Sequence, residues 1–360
     1  RAKPKILYFS LVTWKWIKQR PHFVSLELVN SGIFDVDYRY QILYNRYMPD
    51  ETTKHVKNKI DKIKGFRIIP FKIFPAKGFF IRLNSFWNIL RTSFWNYDKI
   101  ILTHPNQIDF LFIKVLKLKG TKIYYECMDN YEGWEEDRLG FTDKERRLLS
   151  VSKHVFVSSE KLKAKMMEKY GLLSDSCTII RNGYDKTLFD NYKKCKTKLK
   201  QPNITYIGTI DDWFDFDSII YFVKNNENVN VDIIGPIGDS VKHFVKTIKC
   251  KNIHFHGPVE HNLVPQYIED SNVLIMPFIV NEIIEYVDPV KIYEYLYLKK
   301  PIVSAYWQEL DQFKDFIYFY KNKKDFEDKV KNAMNSKLNE NKKYKELMKN
   351  SNWNQRLRKY

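Results

Sequence analysis

Along most of the chain, short runs of β-branched and aromatic residues alternate with longer stretches of helical spacing, which predicts βαβ units and parallel sheets. A first set of strands is expected at Lys5 to Ser10, Phe34 to Tyr40, Lys99 to Thr103, Lys122 to Glu126, His154 to Val157 and Thr178 to Ile180. A lysine-rich polar stretch, Asn191 to Gln201, interrupts the pattern. It restarts with Asn203 to Ile207, Val231 to Ile234, Asn252 to Phe255, Asn272 to Met276 and Pro301 to Ser304. The expected organisation is α/β, with two Rossmann-like domains over residues 1–195 and 196–336. Residues 337–360 hold one more helix, Asn339 to Leu357, too polar to fold alone and expected to pack back on the first domain.

One segment resists this pattern. From Phe66 to Tyr97, aromatic residues such as Phe71, Phe74, Phe80, Trp87 and Trp95 are interleaved with Arg67, Lys72, Lys77, Arg82 and Arg91. Such interleaving suits a surface that dips into a bilayer and meets anionic headgroups, although a core helix with a preceding loop would read the same way. Charge sharpens the point: residues 1–125 carry 23 Lys and Arg against 8 Asp and Glu, a net +15 of the chain's +18. The first domain is therefore expected to face something anionic, whether membrane, nucleic acid or a phosphorylated substrate.

Composition narrows the classes. At 360 residues, 44% hydrophobic and 16% aromatic, the chain can fill two cores. Its four cysteines form no C-x-x-C pair, which argues against a disulfide framework or a structural zinc site and favours a reducing, cytoplasmic setting. No apolar run of about 18 residues predicts a membrane span, so association at the inner face of the plasma membrane would be peripheral.

The most informative stretch runs from Pro277 to Ser304. A helix is expected to begin with Pro289 at its first position, putting Lys291, Glu294 and Tyr295 on one face. A helix N-terminus at the C-terminal edge of a parallel sheet offers free N–H groups and partial positive charge to a diphosphate. Lys291 adds a full charge, and Glu294, one turn deeper, can accept from ribose hydroxyls. Asp288 is expected to orient the helix or a sugar hydroxyl. Capping, rather than metal ligation, is expected of Asp211, Asp212, Asp215 and Asp217, and packing of His254, His256 and His261, so no metal is expected. In the first domain, ligands should gather at the strand C-termini, which singles out Ser10 to Trp14, His104 to Asn106 and Glu126 to Tyr131.

Several of these pieces resemble the GT-B glycosyltransferases of the family 4 type, in particular bacterial enzymes that build capsules, exopolysaccharides and wall polymers. They are P-V-K-I-Y-E-Y-L from Pro289 followed by K-K-P-I-V-S, I-R-N-G-Y-D at Ile180 to Asp185, V-F-V-S-S-E at Val155 to Glu160, and the glycine-terminated strands at Gly208, Gly235 and His256-Gly257. The resemblance implies two domains facing across a cleft and transfer of a sugar from a UDP- or GDP-type nucleotide sugar, without metal or other cofactor, to a hydroxyl of a lipid-linked glycan. It implies a donor site of Gly208, Thr209, Gly235, His256, Pro277, Glu285, Asp288, Pro289, Val290, Lys291 and Glu294.

For the acceptor the candidates are Thr13, Trp14, Arg20, His22 and Asn106, and for catalysis His104, Asp129 and Lys291. His104 resembles a strand-end histidine that contacts the donor sugar. Asp129 is the candidate base if configuration is inverted, while the resemblance favours retention. Two departures stand out: Tyr286 occupies the place of the first of the family's two glutamates, and the stretch Gly208 to Asp215 lacks the usual Arg and Lys. Rival readings are a sugar-nucleotide 2-epimerase of the same fold, a silent scaffold, and a nucleic-acid-binding protein, the last without any recognised motif.

Overall fold

The computed structural model describes residues 2–14, 18–41, 63–71, 87, 96–107, 110–134 and 138–359. It divides between Arg181 and Asn182 into two compact units, each built on one all-parallel sheet. The polar stretch expected as the junction, near residue 195, lies wholly inside the second unit.

The first unit holds β1 (Lys5–Ser10), β2 (Asp35–Gln41), β3 (Phe66–Phe71), β4 (Lys99–Leu102), β5 (Lys122–Cys127), β6 (His154–Val157) and β7 (Cys177–Ile179). Their spatial order is β3-β2-β1-β4-β5-β6-β7. β1 and β4 are buried on both faces, as expected of central parallel strands covered by helices. β3 was not anticipated: the aromatic and basic segment opens as an edge strand, the one place where Pro70 is tolerated in a ladder. Arg67 is about half exposed, but its guanidinium is tied to the neighbouring strand. It grips Asp37 of β2 with two hydrogen bonds of 2.7 and 2.6 Å, and Tyr97 donates to the same carboxylate at 2.7 Å. Burial would raise the Asp37 carboxyl, but these donors, with Lys5 nearby, bring it below its ordinary value. Residues 72–86 and 88–95, which carry most of the expected membrane surface, lie outside the described residues.

The second unit holds β8 (Asn203–Ile207), β9 (Asn230–Ile234), β10 (Ile253–Gly257), β11 (Val273–Met276), β12 (Ile302–Ala305) and β13 (Ile317–Tyr320), in the order β10-β9-β8-β11-β12-β13. β13 is a second strand that the pattern did not announce. The core is built on Tyr206, Phe214, Phe222, Ile275, Tyr293 and Phe313, each at most 1% exposed. In place of one terminal helix there are two short ones, Lys342–Lys349 and Trp353–Arg356, separated where Asn352 caps the second. The Tyr344 hydroxyl donates to the Leu296 carbonyl at 2.7 Å, and Trp353 is buried. None of the described helices is long and apolar enough to cross a membrane.

The segment that opens the second unit is clamped by backbone. Tyr184 N–H donates to the Ser351 carbonyl at 3.0 Å, and Trp353 N–H donates to the Tyr184 carbonyl at 3.3 Å. A Cβ on Gly183 would come within 2.6 Å of the Ser351 carbonyl oxygen, so only glycine allows this approach. We expect Gly183→Ala to lower the unfolding free energy by about 2–3 kcal/mol, in the range of strained backbone sites. Urea denaturation checks this, and an unchanged midpoint would count against a rigid clamp.

Candidate functional site

In the second unit, β8, β9 and β10 end in glycines that stand almost in contact. Gly208 N–H donates to the Ile234 carbonyl at 2.8 Å, and Gly235 N–H to the Gly257 carbonyl at 2.9 Å. Gly208 and Gly235 have φ of 157° and 145°, and a Cβ on Gly235 would fall 1.9 Å from the Gly208 oxygen. The open space above Gly208 is taken by Lys291: a Cβ there would meet Lys291 Cε at 2.3 Å and Nζ at 2.7 Å.

Lys291 lies on the helix Val290–Tyr297, which begins one residue later than expected, with Pro289 as an extended N-cap. No side chain caps this end, so the first-turn N–H groups of Val290 and Lys291 have no intrahelical acceptor. The Lys291 ammonium sits 5.5 Å from the Tyr206 ring centroid and 5.8 Å from that of Phe278. It makes no hydrogen bond or ion pair with the described residues. Burial pushes its pKa down to about 8, against a weaker opposing pull from Glu294. Glu294 is buried one turn on, 3.6 Å from His261 Nε2. A half-buried cation without a hydrogen-bonded carboxylate, beside uncapped helix N–H groups, is chemically an anion site.

The other donor candidates divide. Thr209 is half-buried beside this cation, its carbonyl accepting from Tyr206 Oη at 2.7 Å. Pro277 is buried, and its carbonyl accepts from Asp215 N–H. Glu285 lies on the short turn Ile284–Tyr286. Asp288 neither caps the helix nor faces an open site: its carboxylate accepts from Asn182 N–H at 2.6 Å and Tyr293 Oη at 2.9 Å. It is 2% exposed and works as a buried tie. His256 is likewise committed, its Nε2 lying 2.6 Å from Asp232 Oδ1 on the neighbouring strand. Among the acids after β8, Asp215 caps the helix Phe216–Asn225, while Asp211 accepts from Ser240. No metal-ligating cluster occurs among the described residues.

In the first unit, His104 and Asp129 stand at the ends of the adjacent strands β4 and β5. Gln107 Oε1 accepts from Thr103 and His104 N–H at 2.9 and 3.1 Å and so shapes the turn. His104 Nδ1 accepts from Asn106 N–H, which leaves the proton on Nε2. Burial, then Lys144, lowers its pKa to about 3, so the ring stays neutral. Its ring packs against Tyr131 with centroids 4.6 Å apart. The Asp129 carboxylate accepts no hydrogen bond from the described residues. Burial raises its pKa to about 6, against the opposing charge of Arg20.

Three of the five acceptor candidates, Arg20, His22 and Trp14, are buried and held by partners within the first unit. Arg20 is 4% exposed, bonded to Glu126 Oε1 and to the Ile180 carbonyl, each at 2.7 Å. His22 accepts from Gln19 N–H and donates to the Thr13 carbonyl, and burial lowers its pKa to about 4. Trp14 is buried against His22, Tyr38 and Phe66. Asn106 is exposed and accepts from Lys144 at 2.9 Å. Sequence reasoning missed Tyr206 and Phe278, the cushion under Lys291, because apolar residues beside strand ends read as core.

No protein-family model matches the chain. Among curated proteins it is similar to an uncharacterized 41.2 kDa protein in the cps region of Klebsiella pneumoniae, 21% identical over 207 residues, 52% of this chain and 56% of that protein. It is also similar to the putative teichuronic acid biosynthesis glycosyltransferase TuaH of Bacillus subtilis (strain 168), 23% identical over 215 residues, 55% of this chain and 54% of that protein. The chain thus spans about half the length of the curated relatives it matches.

Among solved structures it matches a glycosyltransferase from Rickettsia africae ESF-5 with a TM-score of 0.68, 14% identity and coverage of 100% and 97% of the two chains. It matches Anabaena Alr3699/HepE in complex with UDP and glucose with a TM-score of 0.68, 12% identity and coverage of 99% and 98%. A UDP-N-acetylglucosamine 2-epimerase from Listeria monocytogenes, also described as putative, follows at 0.53, 9% identity and coverage of 96% and 91%. The two parallel-sheet Rossmann-like units are the fold shared with these GT-B structures, as the sequence resemblance implied.

The pKa of Asp129 gives a test of this site. A carboxyl raised in the folded state holds its proton longer than in the unfolded chain, so ionising it costs stability. That cost is absent below about pH 4, the ordinary carboxyl range, and complete above the folded pKa of about 6. Asp129→Asn should therefore melt higher than the parent at pH 7 and no higher at pH 4. Thermal scans at the two pH values check it, and an equal shift at both would show that the carboxyl is not perturbed.

Proposed function

We propose that this protein is a glycosyltransferase that moves a sugar from a UDP-sugar to a hydroxyl of a lipid-linked glycan in surface-polysaccharide synthesis, without a metal ion. The observation that carries the reading is Lys291: an ammonium with no hydrogen-bonded protein anion, cushioned by Tyr206 and Phe278 above Gly208, at the uncapped start of a helix. A departing UDP carries its new charge on the β-phosphate, and stabilising that charge is the main demand of such a step. Lys291 and the N–H groups of Val290 and Lys291 would supply it, and Glu294 would hold the ribose. The complexed nucleotide of the HepE structure and the name of TuaH support the donor class and the pathway.

On stereochemistry, the family resemblance favours retention, in which the leaving diphosphate itself helps to deprotonate the acceptor and neutral His104 positions the sugar through Nε2–H. The state of Asp129 favours a second reading. A carboxyl without hydrogen-bond donors and with a pKa near 6 is what a general base for inversion requires. The anomeric configuration of the product, read by NMR, decides between them. Under retention, Asp129→Asn keeps the turnover within about tenfold, whereas under inversion it loses on the order of a hundredfold or more.

Calorimetric titration with UDP tests the donor site. We expect saturable binding that survives EDTA and weakens at least about tenfold in Lys291→Met, the loss of one charge-assisted contact. No binding of UDP or any other nucleoside diphosphate would remove the proposal. Release of free, epimerised sugar without acceptor would favour the epimerase.

A further inference from the structure

Lys291 and Glu294 stand three residues apart on the helix Val290–Tyr297, the spacing at which opposite charges on a helix ordinarily pair. Glu294 is 8% exposed and Lys291 half-buried, which would strengthen a pair, yet no ion pair or hydrogen bond joins them. The ammonium is instead drawn over Gly208, beside the rings of Tyr206 and Phe278. The carboxylate approaches His261, whose Nε2 lies 3.6 Å from Oε1, and it accepts no hydrogen bond from the described residues. A buried carboxylate left without a donor is uncommon, because the missing bond costs stability. The sequence led us to expect only packing of His261, and packing does not account for this approach.

A separation of 3.6 Å is too long for a hydrogen bond. An oxygen set to one side of the line between the two atoms can, however, lie about 2.8 Å from each. Anchored backbone stands behind both sides of this gap. On the helix, Ile292, Tyr293, Tyr295 and Leu296 are each 0% exposed. His261 opens the turn His261–Leu263, which runs into the helix Val264–Glu269, where Val264 and Ile268 join the core. Just past that helix, Ser271 Oγ is bonded to Thr205 Oγ1 of β8 at 2.7 Å. The side chains of His261 and Glu294 keep 14% and 11% exposure, so a ligand can reach both.

The chemistry of the two sides selects what fits between them. A carboxylate only accepts, and a neutral imidazole beside it turns an N–H toward it, so Nε2 donates. The position between them suits one group that gives a proton to Glu294 and accepts one from His261. A hydroxyl does both, whereas a carbonyl oxygen, a phosphate oxygen or an amide N–H answers one side only. We infer that His261 and Glu294 together clamp one of the two ribose hydroxyls of the nucleotide, which makes His261 a specificity-determining residue of the donor site. The inference rests on the donor reading given above and adds His261 to it. It also gives the separation of Lys291 from Glu294 a use: a carboxylate engaged by hydroxyl and imidazole leaves the ammonium to the phosphate.

The test is calorimetric titration of the full 360-residue chain with UDP, 2′-deoxy-UDP and 3′-deoxy-UDP. One of the two deoxy compounds is expected to bind at least about tenfold more weakly than UDP, since a site built for a hydroxyl leaves buried polar groups unpaired without it. In His261→Leu, and likewise in His261→Ala, the affinity for UDP should fall about fivefold, the loss of one neutral donor. The affinity for the disfavoured deoxy compound should stay within about twofold of the parent's, so that the gap narrows. His261→Gln keeps an N–H at similar reach and should keep the gap. A histidine that served only to hold the fold would weaken all three compounds alike, and that result would overturn the clamp. So would equal binding of the three compounds by the parent, or an undiminished gap in His261→Leu and His261→Ala. Each of these leaves the donor site standing, whereas failure of the parent to bind any of the three removes the donor site and the clamp with it.

Discussion

The second unit is organised around the absence of two β-carbons. Because Gly208 and Gly235 carry no side chains, the backbones after β8 and β9 come into direct contact, and Lys291 lies flat over the first of them. Any larger residue at Gly208 would occupy the place of the ammonium. The same glycine needs a φ of 157°, which L side chains rarely adopt, so backbone conformation and side-chain placement demand the same residue. The helix beginning at Val290 then aims its uncapped end at the charge that Lys291 already supplies. One packing constraint thus sets the position of both positive elements.

Charge bookkeeping separates site from scaffold more clearly than burial does. The buried ionic groups of the first unit are mostly matched: Arg20 with Glu126, Lys165 with Asn130 and Glu132, Arg67 with Asp37. Asp129 of the first unit and Lys291 of the second stand apart from this pattern. Each is crowded by neighbours without gaining a hydrogen-bonded partner of opposite charge, and each shifts toward its neutral form, to about 8 and about 6 respectively. Such groups weaken the folded state, and a fold retains them where a ligand or a proton transfer uses them. Each stands at the C-terminal edge of its own parallel sheet, where ligands gather in this architecture.

Most strands were legible because a parallel sheet buried on both faces demands continuous β-branched and aromatic runs. Lys5–Ser10, His154–Val157 and Asn203–Ile207 match to the residue. β3 was hidden because Pro70 and the cations Arg67 and Lys72 argue against a strand, an objection that edge position and the Asp37 partner remove. Side-chain roles were less legible than elements. Asp288 and Asn182 are 106 positions apart, and nothing local to either announces their bond. His256 occupies the expected strand end, yet its imidazole points across the sheet to Asp232, a pairing set by strand order. Arg20 and His22 were acceptor candidates because they open the first helix, just after the end of β1. The burial that makes them structural comes from Glu126 and Thr13, on other elements.

The uneven charge of the chain also takes a different meaning once strands are placed. A net +15 in residues 1–125 left membrane, nucleic acid and a phosphorylated substrate open as the anionic partner, and the described site residues of the first unit give little support to the last. Arg20 is neutralised by Glu126, His22 and His104 are neutral, and Asp129 is acidic. The lysines of β4 and β5 lie at the other end of the strands, where helices end and strands begin. A parallel sheet makes this separation easy, since all its C-termini share one edge and all its N-termini the other. Charge placed at the starting edge is held a full strand length from the chemistry, about a Debye length or more away, and so leaves the pKa values on which the site depends largely unaltered.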